Sequence, residues 1–305
     1  MKIAHLSDLH VNAARPGKRL DDVQRLLNEA LEAGADHFVI TGDLSHTGRA
    51  EDLWMLREVL SAYDLLDAAR LSVVVGNHDI YGTVATPGEV LAFPRRCATV
   101  DVRTAVAGFY ETFEETLHGA HFPLHGDRSV YAKPVGSAVI VGVNSVGGYS
   151  PVANPFGSKG AIEGSRREAL QEVLSSYLYR DRVKIVAMHH HLGRCAWSDT
   201  TRNRSTLHKL ERHAGRLKEK RHIVRLFRTH DVRLVLHGHL HESCFYQRHG
   251  QACMNGGGTL DRTNRRHMRF NLIEIDGDYL NLQVVEVERP SFHVVPAPGV
   301  GVANP

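Results

Sequence analysis

K-I-A-H-L-S-D-L-H, residues 2–10, is an apolar run that stops abruptly on two residues with lone pairs to offer, Asp8 and His10. Ile3–Ser7 reads as a first strand, and the same design recurs outward from it. His37–Thr41, Leu71–Val75, Ser137–Val143, Val183–Met188 and Val232–Leu236 are further strand-type runs. Between them, Leu20–Ala33, Ala50–Tyr63 and Ser165–Tyr177 carry apolar residues at helical spacing, as Val23, Leu26, Leu27, Ala30 and Leu31 do. Short apolar runs alternating with crossover helices give an α/β fold class. After His241 the extended segments Ser243–Met254, His267–Ile275 and Tyr279–Val287, joined by N-G-G-G and D-G-D turns, read as antiparallel sheet. Residues 1–290 are expected to form one domain with insertions near 81–124 and 192–230. The Pro- and Gly-rich residues 291–305 are expected to form a tail.

Each strand-type run that matters ends on a metal-friendly residue. The order is D-L-H at Asp8 and His10, T-G-D at Asp43, G-N-H-D at Asn77, His78 and Asp79, M-H-H-H at His189–His191, and H-G-H-L-H at His237–His241. In an α/β sheet the carboxyl ends of the parallel strands share one rim, so five distant patches converge. Singly each is weak: D-x-H arises by chance, G-D is a common turn, and a buried His is usually a satisfied polar group. Jointly they supply oxygen and imidazole donors without thiolate, a set suited to Mn, Fe, Zn or Co.

This ordered set resembles the signature of the calcineurin-like metallophosphoesterases: D-x-H, G-D, G-N-H-D/E, H and G-H-x-H. The resemblance runs from Asp8 to His241 and implies a four-layer αββα sandwich with two central mixed sheets. It implies two divalent or trivalent transition-metal ions, one held by Asp8, His10 and His241 and the other by Asn77, His189 and His239, with Asp43 bridging. It also implies that His78 acts on the phosphate and its leaving oxygen. Many relatives carry H-x-P as the fourth motif, whereas His189-His190-His191-Leu192 has no proline. His189 is preferred as the ligand because it directly follows the apolar strand. His190 and His191 could support it or touch substrate, since a metal-bound His needs a partner for its other nitrogen. Asp79 could support His78 or simply be a turn residue.

Two such ions would lower the pKa of bound water to about 7 and withdraw charge from phosphoryl oxygens. The resemblance implies in-line attack on phosphorus by a hydroxide that the metal pair would hold, with His78 stabilising the departing alkoxide, an effect worth about 10²–10⁴-fold. The expected activity is phosphodiester hydrolysis, of a cyclic nucleotide or glycerophosphodiester-type substrate, by resemblance to bacterial members of the family. A phosphomonoesterase or protein phosphatase is the enzyme alternative. A nuclease would be expected to carry a helical or DNA-binding extension, and a non-catalytic scaffold would be expected to have lost ligands.

Composition agrees with a globular chain. The 305 residues include 37 Lys or Arg and 34 Asp or Glu, with 42% hydrophobic residues, and no apolar stretch approaches the roughly 18 residues of a membrane span. Four scattered cysteines without a C-x-x-C pair read as reduced thiols, and no secretory leader precedes the first strand, so a cytoplasmic location is expected. Residues 202–228 hold ten Lys or Arg against two Glu, a basic segment that could steer an anionic substrate or form solvated helices. Nucleic acid is not the favoured partner, because no aromatic platform for stacking bases is interleaved with that charge. Oligomeric state is not readable from the sequence.

Overall fold

The computed structural model describes residues 1–83, 88–123, 127–193, 216–260 and 266–289. The first strand, β1 (Lys2–Leu6), is followed by α1 (Gly17–Glu32), β2 (His37–Thr41), α2 (Ala50–Ala62), β3 (Leu71–Val74), α3 (Asn77–Tyr81), α4 (Glu89–Thr99) and α5 (Val102–Thr112). Then come β4 (Val130–Val135), β5 (Ala138–Val143), α6 (Ser165–Ser175), β6 (Val183–Met188), α7 (Lys220–Thr229) and β7 (Val232–His237). The hairpins β8 (Ser243–Arg248)–β9 (Gln251–Gly256) and β10 (His267–Asp276)–β11 (Tyr279–Glu288) complete the set.

These strands form two mixed sheets. One has the order β11-β10-β1-β2-β3, the other β4-β5-β6-β7-β9-β8. The parallel pairs β1/β2, β2/β3, β5/β6 and β6/β7 bring the carboxyl ends of the motif-bearing strands to a common side in each sheet. β5 shows why the layers stack as they do. Its six residues are all buried, and they alternate between two cores: Ala138 and Ile140 join the apolar layer shared with the first sheet, while Val139, Val141 and Val143 join the layer under α6 and α7. A strand buried on both faces reads as a continuous apolar run, as this one does. α1 covers the first sheet with Val23, Leu26, Leu27 and Ala30, all buried on one helical face. The result is the four-layer α/β sandwich.

Three features differ from the sequence reading. β4 was not anticipated: it is an edge strand, with Pro134 exposed where a missing N–H costs no ladder bond. The extended segment after His241 folds back at His249 and Gly250, which have φ of 49° and 81°, so it forms two strands rather than one. The chain end is also not a single antiparallel sheet, since β9 runs parallel to β7 in the second sheet while β10 and β11 extend the first beside β1. The expectation of reduced thiols does not hold for Cys244, which is disulfide-bonded, whereas Cys97 and Cys253 are buried and free. The tail expected over 291–305 and much of the basic segment also fall outside them. Among the described residues no helix is long and apolar enough to cross a membrane.

Candidate metal centre

The two sheets meet where their strands end. His189, directly after β6, donates from Nδ1 to the carbonyl of Thr41 at the end of β2, 2.8 Å away. Asp8 accepts from the backbone N–H of His239, 231 positions further along the chain. The site is therefore built across the sheet–sheet interface, with Asp8, His10, Asp43 and Asn77 from one sheet and His189, His239 and His241 from the other.

Backbone geometry turns these side chains inward. Asp8, His10, Asp43, His239 and His241 all adopt positive φ, at 57°, 46°, 53°, 71° and 49°. A non-glycine residue there costs roughly 1–2 kcal/mol, and such strain clusters at functional sites where the surroundings enforce it. Two motif glycines are required by close approach. A Cβ at Gly76 would lie 2.3 Å from both the amide nitrogen and Oδ1 of Asp43, and one at Gly238 would lie 1.8 Å from Ser7 Oγ. The glycines of G-N-H-D and G-H-L-H are there so that the carboxylates of the opposite strands can come this near.

The side chains converge as two clusters. Asp8, His10 and His241 each offer an atom within 4.8 Å of the others, and so do Asp43, His189 and His239. Asp43 Oδ2 lies 3.2 Å from His189 Nε2 and 3.9 Å from both His10 Nε2 and His78 Nε2, so it faces both clusters. Asn77 Oδ1 is 3.1 Å from His189 Nε2, on the second cluster. His78 is held by its own backbone N–H, which donates to Asp43 Oδ1 at 2.8 Å. Its ring is 23% exposed and that of His241 44%, whereas Asp8, Asp43 and His189 are sealed, so substrate must arrive on the His78 and His241 side.

The three histidines after β6 have different jobs. His189 spends Nδ1 on Thr41 and presents Nε2 to the centre. His190 has both nitrogens occupied, Nδ1 by Ser145 Oγ at 2.9 Å and Nε2 by the Ser158 carbonyl at 3.2 Å. His191 donates from Nδ1 to the Gly193 carbonyl at 2.8 Å. His237, in the last motif, stays within β7 and hydrogen-bonds Tyr246 Oη at 2.7 Å. Asp79 does not reach the His78 ring. Its two oxygens accept the N–H groups of Ser45 and Gly76, at 2.7 and 2.8 Å, clamping the loops that carry Asp43 and Asn77.

Sequence reasoning missed His46. Its ring offers an atom within 4.8 Å of those of His10 and His78, and the signal was present in T-G-D-L-S-H, three residues past Asp43.

The electrostatics are those of a cation site. Burial drives the Asp8 carboxyl up to about 6 against the pull of His189. Burial opposes charge on Asp43 too, yet His189 and His78 hold its carboxyl well below the usual range. Burial would keep His189 neutral, but the neighbouring Asp43 carboxylate lifts it to about 9. His10 and His239 are pushed well below their ordinary value, first by burial and then by neighbouring histidines, and so remain neutral. Metals bind neutral imidazole and ionised carboxylate. Asp8 Oδ1 and both ring nitrogens of His10 are buried without a hydrogen-bond partner, an arrangement that costs about 1–3 kcal/mol per atom unless something coordinates them. The donor set fits a pair of transition-metal ions.

The family model for Calcineurin-like phosphoesterase matches residues 1–243. The chain belongs to the calcineurin-like phosphoesterases. Membership makes metal-dependent phosphoester hydrolysis the chemistry of this calcineurin-like chain. A dimetal phosphatase from Danio rerio shares the fold with a TM-score of 0.58 at 12% identity, over 94% of this chain and 98% of that one. Purple acid phosphatase PPD1 from yellow lupin (Lupinus luteus) has a TM-score of 0.56 at 13% identity, over 93% of this chain and 51% of that one. No curated protein matches the sequence.

Proposed function

We propose that this phosphoesterase hydrolyses phosphodiesters at a dinuclear centre in which Asp8, His10 and His241 hold one ion, Asn77, His189 and His239 the other, and Asp43 lies between. The observation that carries this reading is the position of Asp43 Oδ2, 3.2 Å from His189 in its own donor cluster and 3.9 Å from His10 in the other. A carboxylate can serve two cations at once, and the amide oxygen of Asn77 ligates without adding charge. When bound, the ions lower the pKa of water and withdraw charge from phosphoryl oxygens. His78 stands at the open face and meets the leaving oxygen, by proton donation or electrostatic support. Asp43 and Asp79 keep its loop in place. Tight second contacts fix the tautomer of His189, whose N–H to Thr41 turns Nε2 inward.

The diester preference draws on the motif resemblance to bacterial phosphodiesterases of the family.

Initial rates on bis-p-nitrophenyl phosphate and p-nitrophenyl phosphate, on Mn²⁺-loaded and chelator-treated protein with metal analysis, test this. The expected result is faster diester cleavage that chelation abolishes and Mn²⁺ restores. Faster monoester cleavage would make it a phosphatase. Stoichiometric metal with no rate on either ester would favour a binding scaffold.

A further inference from the structure

We propose that His46 contacts the substrate, donating a hydrogen bond to a phosphoryl oxygen that it shares with His78. The inference rests on the reading that the phosphoryl group sits over the metal pair, and it is independent of the diester preference. His46 lies beyond the D-x-H, G-D, G-N-H-D, H and G-H-x-H positions, on the turn between β2 and α2.

The geometry is specific. His46 and His78 have ring centroids 6.4 Å apart with planes inclined by 24°, and His10 lies against both, at 6.0 and 4.7 Å. Ligand-capable atoms of the three rings fall within 4.8 Å of one another. A single oxygen can hydrogen-bond two nitrogens at that separation, since each bond needs only about 2.8 Å. The open side of the centre, where His78 and His241 are exposed, is the side from which the phosphoryl group arrives.

The loop is built to hold this ring still. The His46 backbone N–H donates to the Val11 carbonyl at 2.8 Å, and the Val11 N–H donates to the Leu44 carbonyl at 2.8 Å. On one side Ser45 is fixed through its N–H to Asp79 and through its hydroxyl to Asp52. On the other, Thr47 donates its N–H and its hydroxyl to Asp52, at 2.9 and 2.7 Å. Asp52 is 2% exposed and also accepts the Ala13 N–H, at 2.8 Å, so one buried carboxylate anchors the loops carrying His10 and His46 together. Precise contacts to substrate depend on such supporting bonds.

A third cation between these rings is the competing reading. It would need His10, whose Nε2 already faces Asp8 and Asp43, and three imidazoles bring no carboxylate to balance the charge.

The test uses full-length protein loaded with Mn²⁺, as wild type, His46→Ala and His46→Asn. Four quantities are read: bound Mn²⁺ per chain, the Kd of inorganic phosphate by titration calorimetry, and kcat and KM on the better nitrophenyl ester. The expected result is unchanged Mn²⁺ content in both variants. In His46→Ala, phosphate binding weakens and kcat/KM falls by about 10- to 100-fold, the size of one hydrogen bond to an anionic oxygen. His46→Asn retains a donor and recovers about half of that loss on a logarithmic scale. Loss of a metal equivalent in His46→Ala would overturn the proposal by making His46 a ligand. Full metal with phosphate Kd and kcat/KM within twofold of wild type would overturn it outright. A wild type inactive on diesters refutes the diester reading alone, because the phosphate titration does not depend on it.

Discussion

Replacing Gly76 by Ala should damage the centre without unfolding the protein. The added methyl carbon would lie 2.3 Å from the amide nitrogen and from Oδ1 of Asp43, both parts of one packed turn. Those atoms must retreat by about 0.7 Å to reach the 3.0 Å below which real Cβ contacts essentially never occur. Oδ1 accepts the His78 N–H and Oδ2 faces His189 and His10, so moving this carboxylate disturbs both clusters and the His78 loop together. A displacement of about 1 Å in a reacting constellation costs about 100-fold in rate, and overpacking a core costs about 1–3 kcal/mol of stability. Gly76→Ala should therefore lose about 100-fold in kcat/KM, bind Mn²⁺ more weakly, and still melt cooperatively. Gly108→Ala is the control. It lies within α5, where an added methyl meets nothing within 4 Å, and should gain roughly 0.5–1 kcal/mol at unchanged activity. Metal analysis, initial rates and thermal melts on the two variants decide the matter. A Gly76→Ala enzyme with full metal and a rate within threefold of wild type would refute the claim that this close approach fixes Asp43.

Two further outcomes are expected. His189→Ala should lose one metal equivalent and nearly all activity, whereas His190→Ala should keep its metal and lose about 1–3 kcal/mol by removing the ring partners of the Ser145 hydroxyl and the Ser158 carbonyl; metal counts beside melting curves separate the two. Lys133 is buried in β4, donates to the carbonyls of Leu71 and Thr116, and is pushed down to about 7 by burial. The unfolded chain then binds more protons than the folded one between about pH 7 and the ordinary lysine value, so stability rises with pH across that window. Denaturant melts of Lys133→Met should show a flatter pH dependence there, with the deficit against wild type widest at the alkaline end; parallel curves would show that the ammonium is not desolvated as described.

What could be read in advance follows from what a local pattern can encode. β1, β2, β3, β5, β6 and β7 were legible because each is a mainly apolar run with at most an isolated polar residue, such as Lys184 in β6 or Arg233 in β7, and each motif residue follows such a run. β4 was not, because V-Y-A-K-P-V mixes a lysine and a proline into an edge strand, and only the Leu71 and Thr116 carbonyls make Lys133 at home there. The division of the last four strands between two sheets was equally hidden. Pairing partners such as Lys2 with Glu274 and Val235 with Cys253 are set by packing, which no short window contains. At the centre the residue types and order sufficed to nominate side chains that the fold brings together. The separate tasks of His189, His190 and His191 emerge only from their partners Thr41, Ser145, Ser158 and Gly193, which lie in other loops. His46 escaped because a lone histidine in a turn has no periodicity to betray it.

The placement of β1 between β2 and β10 bears on how the polypeptide is made. Its Ala4 and His5 pair on one flank with Phe38 and Val39 and on the other with Leu272 and Asn271. At roughly 5–20 residues per second of synthesis, the first flank finds its partner early, while the second stays bare for roughly 15–50 s. During that interval a ribosome-bound chain presents an apolar strand with open N–H and C=O groups, the kind of edge that recruits other strands. The five residues of β1 thus gain one neighbour early and the other late, and slow or stalled translation upstream of β10 prolongs the exposure of that edge to aggregation.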